Sequence, residues 1–355
     1  MKAELKKIVS LLGIAISVSA CASTPSMVQS AAPVRPARSV SAIKGGDVRR
    51  ILSALAADSM EGRLSGSRGA NRAAAFISRE MRAIGLTPAG DSGYYQKVAL
   101  AIEHGRRPGS MRVLDSLGAL AAIPEADRRI GYNMIGFLEG SDPVLREQVV
   151  VIAAHYDHLG IGTPVNGDSI YNGADDDASG VTAVLEIARA LKAEAPPKRT
   201  VVFITTTGEE EGILGTKWYA AHAKFPISKM VAEMEVEMIG RPDSLAGGPG
   251  KGWLTGYDRS TMGDMLKAEG VPIVADPYPQ MRFFERSDNI IFARLGIPAH
   301  TLSSYNMHSD YHALTDDIDR IDFPHMTAVI RAGAMAARLL ADGPAPTWKP
   351  GGRPD

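Results

Sequence analysis

Gly173-Ala174-Asp175-Asp176-Asp177-Ala178-Ser179-Gly180 sets three consecutive carboxylates between small residues, directly ahead of an apolar, helix-forming segment. Adjacent acids repel, and Asp is a poor residue inside a helix or a strand. Either something positive offsets the run, or it is an acidic turn that caps the helix behind it. Its companions along the chain decide the matter. His155 and Asp157 stand upstream; Glu209, Glu210, Glu237 and His312 stand downstream. Together these residue types read as the ligand set of a two-metal hydrolase centre.

Outward from this run, strand and helix signals alternate. Val149 to Ala154 is a continuous apolar run, as a strand buried on both faces requires, and Thr200 to Ile204 is a second. Val181 to Leu191 carries Val184, Leu185, Ala188 and Leu191 on one helical stripe between them. A helix over about 214–223, strands over 229–236 and 298–302, and a long Ala-rich helix over 324–340 follow. Ahead of the run, the apolar spacing predicts helices over 47–57 and 68–84, the second ending at Gly85. Residues 94–102, 111–114 and 132–138 are β-like. The expectation is α/β: a single three-layer domain with a mixed, centrally parallel sheet and helices on both faces. Ligands of such sheets bind beyond the carboxyl ends of the strands. His155, Glu209 with Glu210, Glu237 and His312 each follow one of four such strands, so they can converge there.

Two local patterns sharpen this set. His155 and Asp157 share a face in extended backbone, so the Asp157 carboxylate is placed to hold the His155 imidazole in one tautomer. Glu209-Glu210-Glu211 comes straight after a buried strand and before Gly212, where a solvated acidic loop is the plainer alternative. Met230, Met234 and Met238 read as core or pocket wall. His158 and His308 are near candidate ligands in the chain and read as surface or outer-layer groups, with substrate contact as the alternative.

The chain has 355 residues, 45% of them hydrophobic, and a net charge of −1. That content supports a large core, and neutrality gives no basic patch of the kind nucleic-acid binding shows, so no nucleic-acid partner is expected. Cys21 is the only cysteine, which excludes an intramolecular disulfide and any multi-cysteine zinc site. Lys2, Lys6 and Lys7 precede a short apolar stretch, Ile8 to Val18, and Val18-Ser19-Ala20-Cys21 resembles a bacterial lipobox. The expected organisation is a lipoprotein signal peptide over 1–20, a flexible tether over 21–42, a catalytic domain over 43–342 and an irregular, Pro-rich tail over 343–355. Lipid on Cys21 would anchor the domain to the periplasmic face of the bacterial cell envelope, at the outer membrane. An ordinary cleaved signal with an incidental cysteine is the alternative.

Taken with Ser59-Met60-Glu61-Gly62-Arg63, Glu235-Val236-Glu237-Met238-Ile239-Gly240, and His312 with Asp316, these motifs are similar in order and spacing to the dizinc aminopeptidase family of metallopeptidases, related in fold to glutamate carboxypeptidase and glutaminyl cyclase. The resemblance covers about residues 50–340. It implies the zinc exopeptidase fold and two zinc ions per chain. It further implies that Asp176 bridges the ions, with a cis peptide after it, that His155 and Glu237 complete one site, and that Glu210 and His312 complete the other. Glu209 is then the general base acting on a dizinc-bound hydroxide, and peptides are the substrates. Two positions depart from the family pattern. The third-strand ligand is usually Asp, whereas this chain has Glu237, with Glu235 on the same face as a competitor. A Tyr that polarises the carbonyl in some relatives aligns near Phe284, which has no proton to donate. Asp288 falls at a recurrent family position of outer-layer or structural kind. A carboxypeptidase or dipeptidase on the same metals is the second reading. Large members of that kind carry an inserted domain, for which the roughly 30 residues between Val98 and Tyr132 are too few. A non-catalytic, lipid-anchored binding protein with a degenerate metal site is the third reading.

Overall fold

The computed structural model describes residues 39–105 and 109–355. The expected signal peptide, Cys21 and most of the expected tether lie outside the described residues. The described residues begin within the stretch read as a tether, with the single helical turn α1 (Ser39–Ala42). Ile43, next in the chain, is buried in the core and ties that turn down. α2 (Gly45–Leu55) buries Val48, Ile51, Leu52 and Leu55, its one apolar stripe. α3 (Arg68–Ile84) begins where the Ser67 hydroxyl accepts the Ala70 N–H, and it ends on Gly85, whose φ of 81° is the left-handed cap glycine supplies freely.

The strands are β1 (Thr87–Pro88), β2 (Tyr95–Ile102), β3 (Met111–Val113), β4 (Arg128–Leu138), β5 (Val149–His155), and the hairpin β6 (Gly160–Val165) and β7 (Asp168–Tyr171). Then α4 (Gly180–Lys192), β8 (Thr200–Thr206), α5 (Leu214–Ala221), β9 (Met230–Val236), β10 (Gly252–Leu254), α6 (Met262–Ala268) and β11 (Ile273–Ala275) follow, with α7 (Asn289–Arg294), β12 (Ala299–Ser303) and α8 (Phe323–Asp342) closing the domain. The main sheet runs β11-β10-β12-β9-β5-β8-β4-β2-β3, with β1 beside β4. Its centre, β12-β9-β5-β8, is parallel throughout, and β4, β2 and β3 extend it antiparallel. Every residue of β5 and β8 is buried, because helices cover both faces. One apolar layer joins the sheet to α2, α3, α4 and α8, the other joins it to α5 and α7. The expected mixed, centrally parallel α/β sheet is what forms. No helix among the described residues is long and apolar enough to cross a membrane.

The tail from Gly343 has no helix or strand, yet it packs on the domain. The Trp348 indole N–H donates to the Gly296 carbonyl at 2.9 Å, and Lys349 pairs with Asp264 at 2.8 Å.

The second apolar layer contains an anomaly. Glu233 and Glu235 alternate onto one face of β9 and are fully buried. Burial, and then the nearby Asp288, push the Glu233 carboxyl well above the usual carboxylate range. The folded state therefore holds that proton more tightly than the unfolded chain, and stability falls as pH climbs from the ordinary glutamate range toward the raised value. Glu233→Gln, nearly isosteric and always neutral, is expected to stabilise the protein by about 1–3 kcal/mol at pH 8 and by little near pH 4. Calorimetric melting at both pH values tests this; equal shifts at the two would rule out titration as the cause.

Candidate metal centre

Parallel strands that end together deliver their last residues to one place. His155 is the final residue of β5, Glu209 and Glu210 follow β8, Glu237 directly follows β9, and His312 lies in the loop after β12. Asp176 arrives from the other side, between β7 and α4, and the Asp176–Asp177 peptide is cis. Two glycines frame that loop because nothing larger fits. A Cβ on Gly173, which also has a φ of 55°, would lie 2.2 Å from the Asp176 carbonyl oxygen, and one on Gly180 would lie 2.0 Å from that of Val236.

Asp176 is the hub. Its Oδ1 is 3.3 Å from His155 Nε2 and its Oδ2 is 3.2 Å from His312 Nε2. Glu210 Oε2 is 3.0 Å from the same His312 nitrogen. His155, Asp176 and Glu237 offer ligand atoms all within 4.8 Å of one another, and so do His158, Asp176 and Glu210. One carboxylate is thus shared by two groups of nitrogen and carboxylate donors, and Glu237 rather than Glu235 belongs to the first. His155 Nε2, beside the Asp176 carboxylate, is buried without a hydrogen bond. A buried imidazole nitrogen left bare among carboxylates is what a metal ligand looks like before its ion is added. The donor set fits zinc.

Two residues need closer placing. His158 takes the outer-layer arm of its reading and not the surface one: it is fully buried, with Nδ1 2.7 Å from Glu210 Oε1, so the Glu210 carboxylate has a histidine at each oxygen. Asp157 is buried beside His155, but its carboxylate is 3.8 Å from His155 Nδ1, and the hydrogen-bonding partner of that nitrogen is the Asp157 backbone carbonyl, at 3.2 Å. β5 has ended at His155, so the extended geometry that would align the two side chains is gone. The carboxylate instead accepts the backbone N–H groups of Glu209 at 3.2 Å and Glu210 at 3.3 Å. Asp157 therefore positions the turn carrying Glu209.

The remaining acids of the triple run are anchors. Asp175 Oδ1 accepts the Gly240 N–H at 2.6 Å, and its Oδ2 faces His308 Nε2 at 3.0 Å. Asp177 Oδ1 accepts from Gly180 and Met238 at 2.9 and 3.0 Å. Asp316 accepts the N–H groups of Asp175 and Asp176, which fixes the hub from below. Asp288 is buried under the site and accepts the Thr206 hydroxyl proton at 2.5 Å. Met238 and His312 both have positive φ, 51° and 56°, a conformation that costs an L-residue of the order of 1 kcal/mol and clusters at functional sites.

Arg63 is the least expected member. It is fully buried and touches no carboxylate; its guanidinium donates to the carbonyls of Tyr156 (2.7 Å), Leu55 (2.9 Å), Asn172 (2.5 Å) and Gly173 (2.9 Å). Tyr156 follows His155, and Gly173 begins the triple-acid run. One planar fork thus clamps both ligand-bearing loops. The Gly62-Arg63 motif flagged the residue in the chain, but nothing in its spacing tells which carbonyls it serves.

Crowded carboxylates titrate in opposite directions here. Desolvation and Asp176 press against ionisation of Glu210, yet hydrogen bonds from His158 and His312 bring it down to about 2. Desolvation opposes charge on His312, but its bonds to Asp176 and Glu210 raise it to about 10. Glu237, with burial dominant, is pushed up to about 7. Burial also drives Glu209 well above its ordinary value, with Glu237 and Glu210 adding to the rise against His155. Among the acids that line the cleft beside the hub, Asp176, Glu209 and Glu237, Glu209 joins neither donor group.

Beside the hub opens a cleft lined by Glu209, Glu237, Met238 and aromatic residues that include Trp253, Tyr305 and Tyr311. Phe284 is not part of it: that ring is buried in the α5/α7 layer, with the Arg259 guanidinium 4.4 Å from its centre. Phe283 faces the cleft instead. The phenol hydroxyls that line it are those of Tyr305 and Tyr311, the latter stacked on the His312 ring at 3.9 Å.

The chain belongs to Peptidase family M28, whose sequence pattern matches residues 133–337. Over 216 residues it is 27% identical to a probable leucine aminopeptidase 2 of Aspergillus oryzae, a match that spans 59% of this chain and 41% of that one. The chain covers about two fifths of the length of this curated relative and of a probable zinc metalloprotease of Pyrenophora teres f. teres. Among solved structures, an aminopeptidase from Aneurinibacillus sp. strain AM-1 superposes with a TM-score of 0.62 at 17% identity, covering 89% of this chain and 98% of that one. The Porphyromonas gingivalis glutaminyl cyclase superposes at 0.56 with 15% identity, over 83% and 98% of the two chains. At those identities the superpositions establish the shared fold.

Proposed function

We propose that this protein is a zinc-dependent aminopeptidase that removes N-terminal residues from peptides. The observation that carries it is Asp176, one carboxylate shared by two donor groups, with Glu209 beside both and in neither. His155, Asp176 and Glu237 would hold one zinc ion; Asp176, Glu210 and His312 would hold the other, with His158 against Glu210 as a further nitrogen. Zinc bound there would supply Lewis acidity to the scissile carbonyl and acidify a water.

Glu209 supplies the proton transfers. Its carboxylate would accept a proton from the attacking water and return it to the departing amine. Asp157 holds the Glu209 backbone in place. The acidic lining of the cleft suits a free α-ammonium group. The short path from β2 through β3 to β4 also favours this reading over the large carboxypeptidase form.

Fluorogenic aminoacyl substrates and their N-acetylated counterparts, offered to zinc-loaded protein, test the proposal. Cleavage is expected only where the amino group is free. Exhaustive chelation should abolish it and added zinc should restore it. Equal cleavage of the blocked substrates would refute the aminopeptidase reading, and activity surviving chelation would refute the metal.

A further inference from the structure

The cleft carries a charge that the chemistry above does not use. Three of its lining residues, Asp176, Glu209 and Glu237, are acids at the metal end, and one, Arg286, is a permanent cation. Arg286 has no ion pair and no side-chain hydrogen bond with any described residue. Its one described side-chain contact is aromatic: the guanidinium carbon lies 5.2 Å from the centre of the Phe283 ring. Phe283 is itself packed on Trp253, with ring centres 5.5 Å apart and planes at 29°, and against Tyr305 at 5.9 Å. A guanidinium laid on such a stack keeps its edge, with its N–H groups, open for an acceptor.

The groups around it point the same way. The Trp253 indole N–H is buried without a partner. Thr255 Oγ1 accepts the Thr301 N–H at 2.9 Å, which leaves its own proton to give. This part of the cleft is rich in donors and poor in acceptors. A carboxylate is the side-chain-sized group that only accepts, and it matches the arginine fork in shape and charge.

We propose that Arg286 reads a carboxylate on the substrate, so that the enzyme prefers acidic substrates over their neutral isosteres. The proposal rests on the aminopeptidase reading and adds the substrate class to it. The carboxylate can have two sources: the side chain of an N-terminal Glu or Asp, or the free C-terminus of a dipeptide. The three acids and the cationic Arg286 give the cleft groups of both signs, which suits a substrate carrying an ammonium and a carboxylate.

The test compares matched pairs on zinc-loaded enzyme. Glutamyl against glutaminyl p-nitroanilide isolates the side-chain source; Leu-Gly against Leu-Gly amide isolates the C-terminal one. In one pair the charged member is expected to have the higher kcat/KM by about tenfold or more, and the pair that shows it identifies the source. Arg286→Gln should bring that ratio close to one, and Arg286→Glu should invert it. Inversion is a gain for the neutral substrate that a misfolded variant would not show. Free glutamate should inhibit more strongly than free glutamine if the side chain is the source. A ratio near one in both pairs for the unmodified enzyme, or a preference that survives Arg286→Gln, overturns the proposal and leaves the aminopeptidase reading standing. Absence of cleavage of every free-amine substrate, neutral leucyl p-nitroanilide included, overturns both.

Discussion

Glu209→Gln is expected to lower kcat by about 10²–10⁴-fold, the range that a positioned general base supplies, while zinc content stays at the level of the unmodified protein. The size and shape of the side chain are kept, and the Glu209 N–H still bonds to Asp157, so the turn should hold its geometry. What is lost is one oxygen able to take a proton. Neither donor group includes Glu209, which is why metal content and turnover should separate. Elemental analysis beside steady-state kinetics reads both. Near-normal turnover in a zinc-replete variant would remove Glu209 from the chemistry.

The second large effect is expected at the hub. Asp176→Asn exchanges the shared carboxylate for a neutral amide at the one residue common to both donor groups. On the proposed two-zinc reading the zinc content should fall by about half or more, and hydrolysis should fall with it. His312→Ala is the contrast: His312 meets Asp176 and Glu210 but stands outside the group of His155 and Glu237, so on the same reading the ion assigned to those two should be spared. Asp316 holds the same loop through the backbone N–H groups of residues 175 and 176, so a thermal melt belongs beside the metal analysis. Two tightly held zinc ions in the folded Asp176→Asn variant would refute a bridging role.

What the chain disclosed in advance was whatever repeats along it. β5 and β8 are continuous apolar runs because helices cover both faces, and α3 has a cap at each end, so both kinds of element were legible. β10 and β11 have three residues each, too few for any period to show, and β6 is exposed along nearly its whole length and so carries no apolar alternation. The candidate site followed the same division. Residues at strand ends converge because the strands are parallel, and that much follows from their order. The misplaced Asp157 and the choice left open at His158 both fall two or three residues past a strand end, where alternation stops being a guide to direction. Asp157 turns to the Glu209–Glu210 backbone there, and His158 turns inward to Glu210. The same boundary resolved Glu235 from Glu237: the first lies within β9 and faces the apolar layer, and the second lies beyond it and faces the hub.

The clamp at Arg63 has a consequence for what counts as a separable unit of this protein. The family pattern begins at residue 133, some seventy positions later in the chain. A fragment cut to that pattern would keep every candidate ligand and lose the one side chain that satisfies the carbonyls of Tyr156, Asn172 and Gly173. It would also lose β2, which pairs with β4, and the α2 and α3 stripes that cover one face of the sheet. The chemistry is written in the later two thirds of the chain. The stiffness that keeps two ligand loops in register is lent by the first third, which makes the segment with the candidate ligands dependent on a part of the protein that supplies none of them.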